Sequence, residues 1–191
     1  MIGNLNNSYY LMRHGRSLAN NAGIIISSLE DGSGGWGLAE GSLPDIRAAL
    51  KGSGLSRDTV FFSSPFKRAL ETAWCAADYL SAEEVRIDKD LRERFFGDFE
   101  GTDDKNYHRV WQDDGKNPDN GNYGVESPRD VLYRLKNFIH RVDMFYSHRT
   151  ICLVSHGDPL NILLTHTAGL GVEEHRNIVS MKTSELRPLF P

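Results

Sequence analysis

Ile151-Cys152-Leu153-Val154 is a run of four apolar residues with no alternation, closed by Ser155-His156-Gly157. A strand with one wet face alternates apolar with polar residues. A strand apolar throughout is buried on both faces, as happens where helices cover both sides of a parallel sheet. The chain therefore needs helices above and below its strands, and it supplies them in alternation. Tyr9-Tyr10-Leu11-Met12 is an apolar run ending at Arg13-His14-Gly15, after which Leu18-Ala19-Asn20 can begin a helical turn. Thr59-Val60-Phe61-Phe62 is another, ending at Ser63-Ser64-Pro65, with Ser64 suited to cap a helix and Pro65 to open it. Phe66, Ala69, Leu70, Ala73, Trp74, Ala77 and Leu80 then fall on one helical stripe, which assigns Trp74 to the core. A short strand is expected from Val85 to Ile87. Pro128 starts the clearest helix, with Val131, Leu132, Leu135, Phe138, Ile139, Val142, Phe145 and Tyr146 on one stripe, and a last helix opens at Ser155-His156-Gly157. The expected fold class is α/β, a three-layer sandwich around a mainly parallel sheet. No repeat or linker divides residues 1–191, so a single domain is expected.

Two stretches interrupt this alternation. Residues 27–44 contain Gly32, Gly34, Gly35, Gly37 and Gly41, too many for a stable element, and read as a functional loop or lid before a modest helix from Pro44 to Leu50. Residues 102–127 are polar and rich in Gly, Asn and Asp, with a short helix carrying Tyr107, Val110 and Trp111 on one face; they read as an insertion over a site.

The formal charge of −4 argues against a nucleic-acid or membrane-surface binder, which would need a basic face, so any anion must be captured by a local cluster. Cys75 and Cys152 sit in apolar periodic stretches without a CxxC pair and read as reduced core thiols. The first residues, from Met1 to Asn7, show neither a basic nor an apolar leader region, so a cytoplasmic location is expected.

Such a cluster is available. Three strand-to-helix junctions end in groups that suit phosphate: Arg13 and His14 after the first strand, Arg68 after the second, His156 after the fourth. In a parallel sheet these junctions share one edge, the carboxyl ends of the strands, where helix N-termini offer free N–H groups and Arg offers planar paired donors. Positive neighbours keep an imidazole neutral, which leaves His14 a lone pair for attack on phosphorus while the arginines hold the phosphoryl oxygens. The leaving oxygen then needs a proton. Glu93, Asp98 and Glu100 are the carboxyl groups near an irregular loop, and residue type alone does not choose among them.

Four segments, in order, carry a resemblance: Leu11-Met12-Arg13-His14-Gly15; Ser63-Ser64-Pro65 with Arg68-Ala69-Leu70-Glu71-Thr72-Ala73; Glu93 through Glu100-Gly101; and Val154-Ser155-His156-Gly157. In order and spacing, over residues 9 to about 170, they resemble the histidine phosphatase superfamily, which includes the cofactor-dependent phosphoglycerate mutases. The resemblance implies a phosphoglycerate mutase-like fold and His14 as the nucleophile that is phosphorylated. It implies Arg13, Arg68 and His156 as the phosphate pocket, and Glu93, by match to the family's Glu-Arg-x-x-Gly stretch, as proton donor and acceptor. Asn20 matches a pocket asparagine. It also implies a small phosphorylated substrate, with no cofactor and no metal.

The chain departs from the family in two places. Arg16 stands where many relatives carry Glu or Gln, which suggests a more basic surrounding for His14 and a more acidic substrate. Gly37-Leu38-Ala39-Glu40-Gly41 is only a faint echo of the usual pattern between Asn20 and Pro44. The chain is also shorter than the glycolytic mutases, which favours hydrolysis over transfer. Three rivals to a phosphomonoesterase are a mutase, a phosphatase acting on phosphohistidine in proteins, and a binding domain that keeps the pocket without turnover. His108, His140, His148, His166 and His175 lack ligand-like spacing and read as surface or structural. The glycines at 32–35 are followed by no Gly-Lys-Ser/Thr, which excludes a P-loop. No Gly-x-Ser-x-Gly elbow exists to make Ser155 a serine nucleophile.

Overall fold

The computed structural model describes residue 3 and residues 5–190. Its strands are β1 (Ser8–Arg13), β2 (Val60–Ser63), β3 (Val85–Ile87), β4 (Thr150–Ser155) and β5 (Leu186–Pro188), joined in one sheet in the order β3-β2-β4-β1-β5. The β1–β4, β2–β4 and β2–β3 pairs are parallel, and β5 closes the β1 edge antiparallel. The chain is therefore α/β with a mainly parallel sheet, as its alternation predicts. The antiparallel edge strand was not foreseen, because Leu186-Arg187-Pro188 is too short and too mixed to carry a period.

The unbroken apolar run of β4 explains both layers. Ile151 and Leu153 point into one core with Tyr9, Leu11 and Phe62, against Leu135, Phe138 and Ile139 of the helix α6 (Pro128–Phe145) and Leu160 and Leu163 of the helix α7 (Gly157–Thr167). Cys152 and Val154 point the other way with Met12 and Phe61, against Ile46 of α3 (Ser42–Leu50) and the small residues Ala69, Ala73 and Ala76 of α4 (Lys67–Leu80). Alternate residues of each strand thus serve opposite layers, and the alanines let α4 lie close on the sheet. The cap of α6 follows expectation: Ser127 Oγ accepts the Asp130 N–H at 3.1 Å and Pro128 opens the first turn.

Several expectations are corrected. Ser64 does not cap α4; the helix starts two residues later, with Phe66 at the N-cap, because the ladder runs on through Ser64 N–H to Val154 O at 3.0 Å. Trp74 is 54% exposed, on the outer flank of the α4 stripe rather than in the core. Phe145 is exposed because α6 ends there, and Cys75 is only partly buried while Cys152 is fully so. The glycine-rich stretch also holds ordered structure. Leu29–Ser33 forms a helical turn, α2, capped by Ser28, and α3 starts at Ser42 rather than Pro44. The glycines are there for contact: a Cβ on Gly32 would run into the Phe66 ring, and one on Gly37 would meet the Glu71 carboxylate, which accepts the Leu38 N–H at 2.6 Å. Among the described residues no helix is long and apolar enough to cross a membrane.

The polar insertion shares a small core with the segments before it. Ile25 packs with Phe96, Phe99, Val110 and Val125, which fastens α5 (Tyr107–Asp114) beside the carboxyl edge of the sheet. Replacing Gly32 by Ala should destabilise the chain by about 1–3 kcal/mol through overpacking against Phe66, outweighing the better helix propensity of Ala. Urea unfolding checks this, and an unchanged midpoint would mean that α2 does not seat on Phe66 as described.

Candidate active site

Backbone hydrogen bonds extend past the strand ends and bring the three junctions together. The His14 N–H reaches Ser155 O at 3.0 Å, so β1 and β2 are both pinned to β4 just where their functional side chains begin. His14 is 2% exposed. Its Nδ1 lies 2.7 Å from the Gly15 carbonyl, which can only accept, so Nδ1 carries the proton. Nε2 is then a lone pair, and it accepts the Arg68 Nε–H at 3.2 Å. The Gly15 N–H is held by Thr72 Oγ1 at 2.9 Å, whose own hydroxyl donates to Arg68 O at 2.7 Å, which locks the loop to α4.

Arg68 sits in the first turn of α4 and is also buried. One Nη donates to Ile26 O at 2.9 Å and lies 3.8 Å from Glu93 Oε2. Arg13 donates from its other side to Met181 O at 2.7 Å. His156 sits at the N-terminus of α7, its Nε2 2.8 Å from Ser64 Oγ and its Nδ1 3.7 Å from Glu93 Oε2. Arg13 Nε, Arg68 Nη1 and His156 Nδ1 are buried nitrogens with no partner among the described residues. Arg13, His14, Asn20, Arg68 and Glu93 line one cavity of about 230 Å³, with His156 directly behind it, in edge contact with His14 at 5.1 Å between ring centres.

The structure thus brings all six sequence-derived residues to one place, although Asn20 is partly engaged elsewhere. Its Oδ1 accepts the N–H and O–H of Ser17 as the cap of the helix α1 (Leu18–Ala22), so only its amide nitrogen can serve the cavity. Of the carboxyl candidates, Asp98 is exposed and Glu100 clamps the Ser27 N–H at 2.8 Å; Glu93 alone faces the cavity. Arg16 is corrected: its exposed guanidinium binds Asn21 Oδ1 at 2.5 Å and does not line the cavity.

The outer wall was largely missed. Tyr107 and Trp111 of α5 stack at 5.3 Å and 7°, and the Arg176 guanidinium lies 3.7 Å from the Trp111 ring centre. Trp111 Nε1 donates to Asp158 at 3.0 Å, and Asp158 meets Arg94, which pairs with both oxygens of Asp114 at 2.5 and 2.8 Å. His175, fully buried, lies 3.7 Å from Asp114. Asp158, two residues after His156, was open to discovery from its place in a helix first turn. Arg176 had no such signal, because it sits in an irregular segment.

The model of the histidine phosphatase superfamily (branch 1) matches residues 9–186, and the chain belongs to this superfamily. The bifunctional protein Rv2228c of Mycobacterium tuberculosis is 36% identical over 135 residues, which is 64% of this chain and 36% of that protein. The chain therefore spans about a third of the length of that relative. Among solved structures, mycobacterial glucosyl-3-phosphoglycerate phosphatase Rv2419c superposes with a TM-score of 0.77 at 21% identity, over 94% of this chain and 87% of that one. The alpha-ribazole phosphatase of Shigella flexneri does so with a TM-score of 0.72 at 22% identity, over 94% and 88%. At these identities the likeness is one of fold.

The electrostatics of the cavity are set by burial. Burial, then Arg68 and Arg13, hold the His14 pKa well below the usual imidazole range, and burial with Arg68 does the same to His156. Burial pushes the Glu93 carboxyl up to about 7, with Arg68 opposing and Asp158 adding to the rise. An acid with a raised folded pKa holds a proton that the unfolded chain has released, so stability falls as pH climbs from the ordinary Glu range, about 4.5, to about 7. Replacing Glu93 by Gln removes that dependence. The variant should gain on the order of 3 kcal/mol relative to wild type between pH 4.5 and pH 8, measured by urea unfolding at both ends. A constant difference would show that Glu93 ionises normally.

Proposed function

We propose that the chain is a metal-independent phosphatase that hydrolyses small phosphomonoesters through a phosphohistidine on His14. The observation that carries this reading is the Nε2 lone pair of a buried, neutral His14 set among three buried, unpartnered nitrogens, Arg13 Nε, Arg68 Nη1 and His156 Nδ1. A phosphoryl group offers the acceptor oxygens that such a set needs, and two guanidinium charges match a dianion. His14 Nε2 attacks phosphorus, the ester P–O bond breaks, and the leaving oxygen takes the proton of Glu93. Glu93, now a carboxylate, removes a proton from water; the water oxygen attacks phosphorus, the P–N bond breaks, and inorganic phosphate leaves with His14 restored. A carboxyl group at about 7 can serve in both roles at neutral pH.

The cavity of about 230 Å³ favours a compact leaving group. Two phosphatases of this fold are named for different small phosphorylated molecules, so the fold leaves the choice to the walls, here Tyr107, Trp111, Asp158 and Arg176. With p-nitrophenyl phosphate and a chelator present, His14→Ala should lose turnover, and phosphate released at the wild-type rate by the variant would refute the mechanism. Glu93→Gln should lower kcat/KM by at least about a hundredfold on a substrate whose leaving group needs a proton. The wild-type kcat/KM on such a substrate should decline above about pH 7, as Glu93 loses its proton. A profile flat from pH 6 to pH 9 would remove Glu93 from the acid role.

A further inference from the structure

The two histidines of the cavity differ in what holds the far side of each ring. His14 Nδ1 faces a backbone carbonyl, an acceptor only. His156 Nε2 faces Ser64 Oγ at 2.8 Å, and a hydroxyl can donate or accept. What decides is the third partner. Ser64 follows β2 directly, is 0% exposed, and its Oγ already accepts the Phe66 N–H at 3.2 Å. Among the described residues His156 Nε2 is the one acceptor within reach of the Ser64 proton. If Nε2 carried a proton instead, the hydroxyl would accept twice and its own proton would be stranded in the interior. The Nδ1 lone pair would also be turned toward any phosphoryl oxygen bound beside it, one acceptor against another, with Glu93 Oε2 at 3.7 Å and beyond hydrogen-bond reach.

We infer that Ser64 is a positioning residue that holds His156 in the tautomer protonated at Nδ1, which makes the buried Nδ1–H a donor to the transferring phosphoryl group. The inference rests on the phosphohistidine reading for the identity of the acceptor, but not for the tautomer. The donor chain runs from Phe66 N–H to Ser64 Oγ and from Ser64 O–H to His156 Nε2, and it ends at His156 Nδ1, a buried nitrogen without a partner among the described residues, 3.7 Å from Glu93 Oε2, which does line the cavity. The edge of Phe66 against the ring, 4.9 Å between centres, keeps the imidazole from turning. Both histidines then carry the proton on Nδ1, yet they present opposite atoms: His14 shows a lone pair, fit to attack, and His156 shows an N–H, fit to bind the oxygens.

Nitrogen-15 NMR of the imidazole groups in the intact wild-type chain, with His156→Gln used to assign the signals, reads the tautomer directly. His156 protonated at Nδ1 is the expected result, and protonation at Nε2 overturns the inference whatever the activity. In Ser64→Ala the His156 signals should move toward a mixture of tautomers. kcat/KM for p-nitrophenyl phosphate should fall about tenfold, the effect of one neutral hydrogen bond. Ser64→Thr, which keeps the hydroxyl, should restore the tautomer and most of the rate. A Ser64→Ala chain with the wild-type tautomer and rate overturns the inference while leaving the mechanism intact. Turnover that survives in His14→Ala, measured alongside, fails the phosphohistidine reading instead.

Discussion

The buried guanidinium of Arg68 is the interaction on which the site depends. An Arg with 3% exposure is costly unless its charge and its donors are met, and here one side chain meets a partner from each part of the structure. Its Nε binds His14 at the end of β1, one Nη binds Ile26 in the segment that crosses the cavity, the same Nη faces Glu93, and its Cζ lies 4.9 Å from the Phe66 ring centre. Small residues of α4 bring its first turn down onto the sheet, and Gly32 lets α2 press on Phe66. Proposed nucleophile, cover and proposed acid are thereby referred to one cation. The burial that makes the charge expensive also makes its field strong, because little water remains to screen it. Burial first depresses the His14 pKa and that field depresses it further, and the same field partly restrains the rise at Glu93.

A second buried network does for the cover what Arg68 does for the floor. Arg94, next to Glu93 in sequence, joins Asp114 at the end of α5 to Asp158 at the start of α7, and Trp111 and Arg176 close over Asp158. Burial alone would resist a charge on Asp158, but His175, Arg94 and Arg176 outweigh it and hold the carboxyl below its usual range. Asp158 in turn pushes Glu93 upward. The charges that fasten the insertion to the sheet therefore also tune the carboxyl group that faces the cavity. Separating a structural part from a chemical part of this cluster would be artificial, since the low dielectric that stabilises the ion pairs also transmits their fields.

Much of this was legible beforehand for a definite reason. Periodicity is a local property, and it placed β3, β4, α6 and α7 close to where they lie, as well as the convergence of Arg13, His14, Arg68 and His156 on one sheet edge, which follows from parallel topology. The errors share a cause as well. Ser64-Pro65 reads as a helix start until one sees that the ladder to Val154 continues through Ser64, and Trp74 reads as core until the width of the contact with the sheet is known. Glycines at 32 and 37 read as looseness, whereas they mark places where another side chain comes too close for a Cβ. In each case a nonlocal partner decided what a local pattern left open.

Local pattern sufficed for the α/β class, the buried central strand and the set of side chains that gather at the carboxyl edge, because burial pattern and handedness leave few ways to fold alternating strands and helices. Which atoms face inward was left to the packing of the layers. It set the lone pair of His14 toward Arg68, turned Glu93 rather than Glu100 to the cavity, sent Arg16 outward, and brought Trp111 and Arg176 from distant segments onto Asp158. Tautomers, carboxyl pKa values and ring stacks are fixed by partners within a few ångströms, and those partners are assembled only when the layers pack.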